Sequence, residues 1–279
     1  MRLVALAVFL LLHAAHATAA RAWGLAAHAM IARQAVESTP GALRAFLREN
    51  REQVAGRALE PDTVLKKRYG RRERIRHYVD LEVLSRPPFT DISPDYAAAQ
   101  ARYGRARLEK AGILPWNAEM VYGRLVAAMK RRDTRETVRL AGLLGHYVAD
   151  AFAPLHSTRN YDGQLTGNRG IHERYETEMI RRRAKYFRDL GPARPVPERS
   201  APRVSARMLG VLRESHALVP ALLAADAAAR RTAKPGSAAY LDALFRGAGA
   251  GARERMRAAA RETAVVWTSA WVEAGRPDL

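Results

Sequence analysis

Apolar residues in this chain recur at spacings of three and four, the period of a helix with one buried face, rather than in the alternation of half-buried strands. Aromatic residues make up only 7% and alanine is abundant, which disfavours the β-branched and aromatic surfaces that sandwiches and barrels pack. The expected fold class is all-α. With 279 residues, 48% of them hydrophobic, and no internal repeat at solenoid periods, the chain suits a single globular helical domain with a sizeable core. It has no cysteine, so disulfide frameworks, thiolate zinc sites and cysteine nucleophiles are excluded.

The first 22 residues read as a segment apart. Arg2 precedes the apolar run Leu3 to Leu12, which is too short to span a bilayer in the ordinary way, and Ala20-Arg21-Ala22 has the small-residue pattern of a signal-peptide cleavage site. Residues 1–22 are therefore expected to be a cleaved signal peptide. The domain is expected to cover 23–279, starting at Trp23, and to be soluble and exported to a periplasm or the medium. No later apolar run reads as long enough for a membrane span. The formal net charge is +19, or +17 without Arg2 and Arg21, which suits a polyanionic partner, an anionic membrane surface or a solvated basic exterior.

Helical patterning runs from Leu25 to Leu47 with a break near Thr39-Pro40-Gly41, and resumes near Thr63 with the basic run Lys66, Lys67, Arg68, Arg71, Arg72 and Arg74, read as a solvated face. Pro87-Pro88 to Pro94 reads as a loop, followed by helices over about 96–110 and 117–132. Thr134 is placed to cap a helix through Leu140, Leu143, Leu144 and Tyr147, with Pro154 stopping it. A turn-rich loop from Asn160 to Gly170 leads to a helix over about 171–190, a connector from Gly191 to Pro197, and two or three final helices, the last over about 253–273. Trp116, Trp267 and Trp271 are expected in the core, and His216 as a structural or exposed residue.

Six histidines follow residue 22: His28, His77, His146, His156, His172 and His216. Two start i, i+4 pairs with carboxylates, His146 with Asp150 and His172 with Glu176, a spacing that brings both side chains to one helix face within reach of one cation. His156 lies just past Pro154, where the chain turns back, while Asp62 and His77 lie upstream. His28 sits five residues after Trp23, whose free amino group and carbonyl would form a five-membered chelate after processing. Histidine nitrogen with carboxylate oxygen and no sulfur suits hydrolytic zinc, with manganese or iron compatible on ligand type.

The order Trp23, His28, Asp62, His77, His146-xxx-Asp150, His156, His172-xxx-Glu176 resembles the superfamily that joins the zinc-dependent single-strand-specific nucleases of fungi and plants with the bacterial zinc-dependent phospholipases C. The resemblance implies an all-helical fold and three zinc ions. Asp62, His77, His146 and Asp150 would hold the first, His156, His172 and Glu176 the second, and Trp23 through its amino nitrogen and carbonyl, His28 and Asp150 the third. Asp62 and Asp150 would be the catalytic carboxylates, with Asp150 bridging two metals.

Features of both branches are present. Trp23-Gly24-Leu25-Ala26-Ala27-His28 has the nuclease-like spacing, and His77-Tyr78-Val79-Asp80 resembles the nuclease segment in which Tyr78 would stack on a base and Asp80 accept from its edge. The segment His146-Tyr147 through Pro154-Leu155-His156, the short loop, and Glu176 in place of the nucleases' aspartate are similar to the phospholipases. The basic charge tilts the expectation to an exported zinc-dependent endonuclease that cuts single-stranded DNA, RNA or nucleotides to 5′-phosphate products. In it, two zinc ions sharing a water would supply a hydroxide for in-line attack on phosphorus and the third would neutralise the leaving oxygen. Phospholipase C acting on phospholipid headgroups is the alternative, and a non-catalytic basic nucleic-acid-binding protein the remote one. No protein partner is implied.

Overall fold

The computed structural model describes residues 23–279; the expected signal peptide over 1–22 lies outside the described residues. Among the described residues every regular element is helical. The middle of the fold is the Thr134–Phe152 helix, whose residues from Leu140 to Phe152 are all buried. Around it pack the helices Leu25–Ser38, Arg51–Arg57, Leu114–Lys130, Val204–Thr232 and Ala238–Glu273. A helix buried on every side needs apolar and small residues all round, which the run Leu140-Ala141-Gly142-Leu143-Leu144-Gly145 provides. A Cβ at Gly142 would lie 2.7 Å from Val54 O, so glycine is what lets the Arg51–Arg57 helix come this close.

Trp116, Trp267 and Trp271 are buried as expected, and the Trp267 indole donates to Ala141 O at 3.0 Å, fastening the last helix to the central one. Several expected boundaries move. The cap of the central helix is Asp133, which accepts from Glu136 N at 3.0 Å, and Thr134 is already helical. Gly104, at φ +75°, splits the expected 96–110 helix into Tyr96–Tyr103 and Arg105–Ala111. The next helix starts at Leu114, with Pro115 in its first turn where its missing N–H costs nothing. Pro154 does end the central helix, holding Ala153 extended at ψ 120° and starting the Pro154–Ser157 turn that carries His156.

The Val204–Thr232 helix is an exception to the expectation that no later segment is long and apolar enough to cross a membrane, by length and composition alone. Its apolar side packs on Leu114–Lys130, Thr134–Phe152 and Ala238–Glu273. It also buries Asp226, which accepts from Arg174 (3.1 Å), Asn168 (2.7 Å) and the Tyr240 hydroxyl.

Candidate metal centre

His146 and Asp150 leave the same face of the central helix, one turn apart, with His146 Nε2 3.3 Å from Asp150 Oδ2. The Leu25–Ser38 helix crosses that face and lays the His28 ring on His146, centroids 3.9 Å apart and planes 18° from parallel. His28 Nε2 is then 3.3 Å from Asp150 Oδ1. From the other side His77 Nδ1 approaches Asp150 Oδ2 at 2.9 Å, His146 Nε2 at 3.0 Å and Asp62 Oδ1 at 3.7 Å. The two oxygens of Asp150 thus face two different groups of ligands. Beyond Pro154, His156 Nε2 meets His172 Nε2 at 3.2 Å, and Glu176 Oε2 lies 3.1 Å from His172 and 3.6 Å from His156.

Three groups result in which every residue offers a ligand atom within 4.8 Å of the others: His28, His146 and Asp150; Asp62, His77 and His146; and His156, His172 and Glu176. All eight side chains are buried. Asp62 and Glu176 sit on the two π-helical turns among the described residues, Pro61–Leu65 and Arg174–Glu178, where the extra residue per turn swings a side chain inward.

The donor atoms fit cations. His28 Nε2, Asp62 Oδ2, Asp150 Oδ1 and both oxygens of Glu176 are buried without a hydrogen-bond partner, a cost that a shared metal ion removes. Two of the outer nitrogens have partners. His146 Nδ1 donates to Ala58 O at 2.8 Å and His156 Nδ1 to His77 O at 2.6 Å. A carbonyl can only accept, so each ring, when neutral, carries its proton on Nδ1 and turns the Nε2 lone pair to the cluster. Burial works to raise the Asp62 carboxyl, but His146 and Lys66 outweigh it and hold it at about 2. Glu176 is likewise held at about 2 against its burial, by His172 and His156. Burial opposes charge on His156, yet Asp150 and Glu176 pull it up to about 9.

Sequence reading overlooked two residues behind His77. Glu73 is fully buried, accepts from the Tyr147 hydroxyl and from Arg76 (3.0 Å), and places Oε1 3.5 Å from His77 Nε2. Its i, i+4 spacing to His77 was the available signal. It is masked there by the basic run around it. Lys66, read as part of a solvated face, is ion-paired with Asp62 and only 16% exposed at its side chain.

Trp23 is buried at the edge of the centre. Its indole donates to Ala149 O at 2.9 Å, next to Asp150, and Gly24 N donates to Glu176 O at 3.0 Å. Tyr78 and Asp80 are half-buried and line a cavity of about 430 Å³ together with His77, His156 and His172; Arg71, Arg74 and Tyr161 line it too. Gly112, at φ +92°, has its missing Cβ against Tyr78 O, which lets Asp80 N reach Ala111 O (2.6 Å) and fixes this segment. Burial and the neighbouring Glu82 push the Asp80 carboxyl up to about 7. His216 stays outside the centre, paired with Glu82 at 2.9 Å.

The family model for zinc dependent phospholipase C matches residues 27–219, a span that holds all eight clustered side chains. The chain belongs to this family. The three clusters, each able to hold a metal ion, lie within the matched span, as membership of a zinc-dependent family requires. Its fold is also that of the crystal structure of an alpha-toxin from an avian strain of Clostridium perfringens, at TM-score 0.53 and 16% identity, covering 92% of this chain and 66% of that one. A probable serine protease of Bradyrhizobium tropiciagri is 26% identical over 211 residues, 64% of this chain but only 26% of that protein. The chain thus spans less than two thirds of either relative. Among the described residues the buried serines are engaged away from the histidines: Ser38, Ser157, Ser205 and Ser215 donate to backbone carbonyls, and Ser269 pairs with Tyr122.

Proposed function

We propose that this family member is an exported phosphodiesterase of the phospholipase C type, which hydrolyses phospholipid between glycerol and phosphate. The observation that carries the reading is the three buried His/carboxylate clusters lying inside the segment matched by the phospholipase family. The eight clustered side chains would serve as ligands in the sets expected from the sequence; Asp150 has two oxygens that face different ligand groups, whereas His146 offers the single nitrogen Nε2. Bound zinc supplies Lewis acidity toward the phosphate oxygens and a nucleophile at neutral pH. Asp62, ionised and with Oδ2 unpartnered, accepts a hydrogen bond from the attacking water and orients it. Lys66 holds the other oxygen of Asp62 and offers its charge to the phosphate. The water oxygen bonds to phosphorus, the bond from phosphorus to the glycerol oxygen breaks, and the water proton passes to that oxygen. Diacylglycerol and a phosphorylated headgroup leave.

Cleavage before Trp23 would free the amino group that completes the third site, next to His28 and Asp150. Purified protein should release phosphorylated headgroup from phospholipid vesicles, and should stop when chelator is added. Activity without metal, or no activity on any phospholipid, sinks the reading. A second reading, cleavage of single-stranded nucleic acid, is favoured by Tyr78 and Tyr161 beside Arg71 and Arg74, which suit a stacked base and a neighbouring phosphate. Parallel assays on single-stranded DNA and RNA separate the two.

A further inference from the structure

The metal clusters open on two cavities, and Lys66 lines both. One is the polar cavity with Tyr78, Asp80 and Tyr161. The other is a groove of about 1190 Å³, larger than the roughly 300–1,000 Å³ of ordinary small-molecule sites, between the Leu25–Ser38 helix and the helices Met179–Arg182 and Ala184–Arg188. Asp62 and Glu176, members of two different metal clusters, line it, so the groove reaches the reacting centre. Ala26, Ala29 and Met30 form one apolar wall, and Ile180 and Ala184 the other.

Around these apolar walls stand Lys67, Arg181 and Arg188, all exposed, with Thr63, Thr177 and the carboxylate of Glu173 also in the lining. Among the described residues none of the three is in an ion pair, unlike Arg33 and Lys66 in the same wall, which are paired with Glu52 and Asp62. Unpaired cations bordering an apolar channel complement a ligand with an anionic head and a hydrocarbon tail. A nucleic-acid strand needs rings to stack its bases, and none of the residues lining this groove is aromatic. A phosphodiester has two ester arms, and a cavity adjoins the clusters on either side to receive each. The polar arm matches the tyrosine cavity and the hydrocarbon arm the groove.

We propose that this groove is the subsite for the acyl-chain arm of an anionic phospholipid, with Lys67, Arg181 and Arg188 facing the lipid surface. The proposal rests on the phospholipase reading and adds the direction in which the lipid lies and the charge it carries.

The test uses Ala26→Glu and Ala184→Glu, two positions on helices with exposed or half-buried side chains, where glutamate keeps the fold and puts a charge in the groove. Zinc content and melting temperature are checked against wild type. Hydrolysis of phosphatidylglycerol vesicles should fall roughly tenfold or more, as for the loss of about two buried methylene contacts, while bis(p-nitrophenyl) phosphate, which has no tail, is cut at the wild-type rate. Zinc-stripped protein gives a readout independent of turnover: Arg181→Gln with Arg188→Gln should weaken its co-sedimentation with phosphatidylglycerol vesicles. Glutamate variants that hydrolyse the vesicles normally overturn the subsite while leaving the phospholipase reading intact. Loss of single-stranded DNA cleavage in step with lipid cleavage would make the groove a strand track instead. If the wild type cleaves no phospholipid, the function proposed above fails and the subsite with it.

Discussion

The imidazole rings of His28 and His146 stack 3.9 Å apart, although their helices, Leu25–Ser38 and Thr134–Phe152, are far apart in the chain. Two protonated rings at that distance repel in a buried site, and burial together with His146 lowers the pKa of His28. His28 is therefore the neutral partner, ready to bind metal. His146 is shared between two of the ligand groups and His28 belongs to one. His28→Ala and His146→Ala, each removing one nitrogen, should each cost about one zinc equivalent per chain, and Asp150→Ala, whose two oxygens face different groups, more than one, measured by metal analysis after dialysis. Equal losses in all three variants would show that Asp150 serves a single ion.

Metal uptake should depend on pH in a direction set by His156. In the zinc-free protein its ring is charged below about 9, and a ligand must be neutral, so zinc binding at pH 7 expels a proton. Calorimetry in buffers of different ionisation enthalpy counts it, and affinity at this cluster should rise with pH up to about 9. The stability of the zinc-free protein runs the other way. The folded pKa lies above the ordinary 6.5, so the contribution is fully present below pH 6.5 and is lost as pH rises through about 9. Denaturant titrations at pH 6, 8 and 10 on chelated protein check the sign.

The second cluster is braced from behind by a buried ion pair. Arg174 lies between His172 and Glu176 in the chain, with Nη2 on Asp226 at 3.1 Å and Nε on the Tyr240 hydroxyl at 2.8 Å. Asp226→Ala leaves a buried guanidinium without its counter-charge and should cost about 3–5 kcal/mol in urea unfolding. The same variant should weaken zinc at the His172/Glu176 cluster before the other two. A stability loss near zero would mean that water replaces the carboxylate.

What the sequence made legible was whatever local spacing encodes. The pairs His146/Asp150 and His172/Glu176 follow from one helical turn, and Pro154 ends a helix by its own covalent geometry. Less legible were features fixed by a neighbour distant in sequence. Gly247, Gly249 and Gly251 look like a break, yet the helix runs unbroken over Ala238–Glu273. Ala225, on the Val204–Thr232 helix, approaches the missing Cβ of Gly247 to 3.0 Å, so tertiary contact overrides propensity there. Glu73 and Lys66 have partners one helical turn away, His77 and Asp62, but their burial is not written in a basic run, nor is the place of Tyr161 in the cavity written in a turn-rich loop. The nuclease tilt came from charge and from Tyr78-Val79-Asp80, whereas the family match favours the phospholipase branch.

Tyr78 and Asp80 provide the sharpest division between those branches. Both line the cavity that contains His77, His156 and His172, and neither belongs to a metal group. If a base is held there, Tyr78→Ala removes stacking of about 1–3 kcal/mol, a five- to hundredfold loss on single-stranded DNA, with bis(p-nitrophenyl) phosphate and zinc content unchanged. If the cavity holds a lipid headgroup, the same variant and Asp80→Asn should change the order of preference among phosphatidylcholine, phosphatidylethanolamine and phosphatidylglycerol, with nucleic acid cut slowly by wild type and variants alike. Salt adds a check, because binding to a polyanionic strand falls steeply with ionic strength. Since Asp80 lies near the charged form's midpoint at about pH 7, the wild-type headgroup preference should shift between pH 6 and 8, toward cationic headgroups as the carboxylate forms, and Asp80→Asn should flatten that shift. A preference unaltered by pH or by either substitution would place headgroup recognition elsewhere in the cleft.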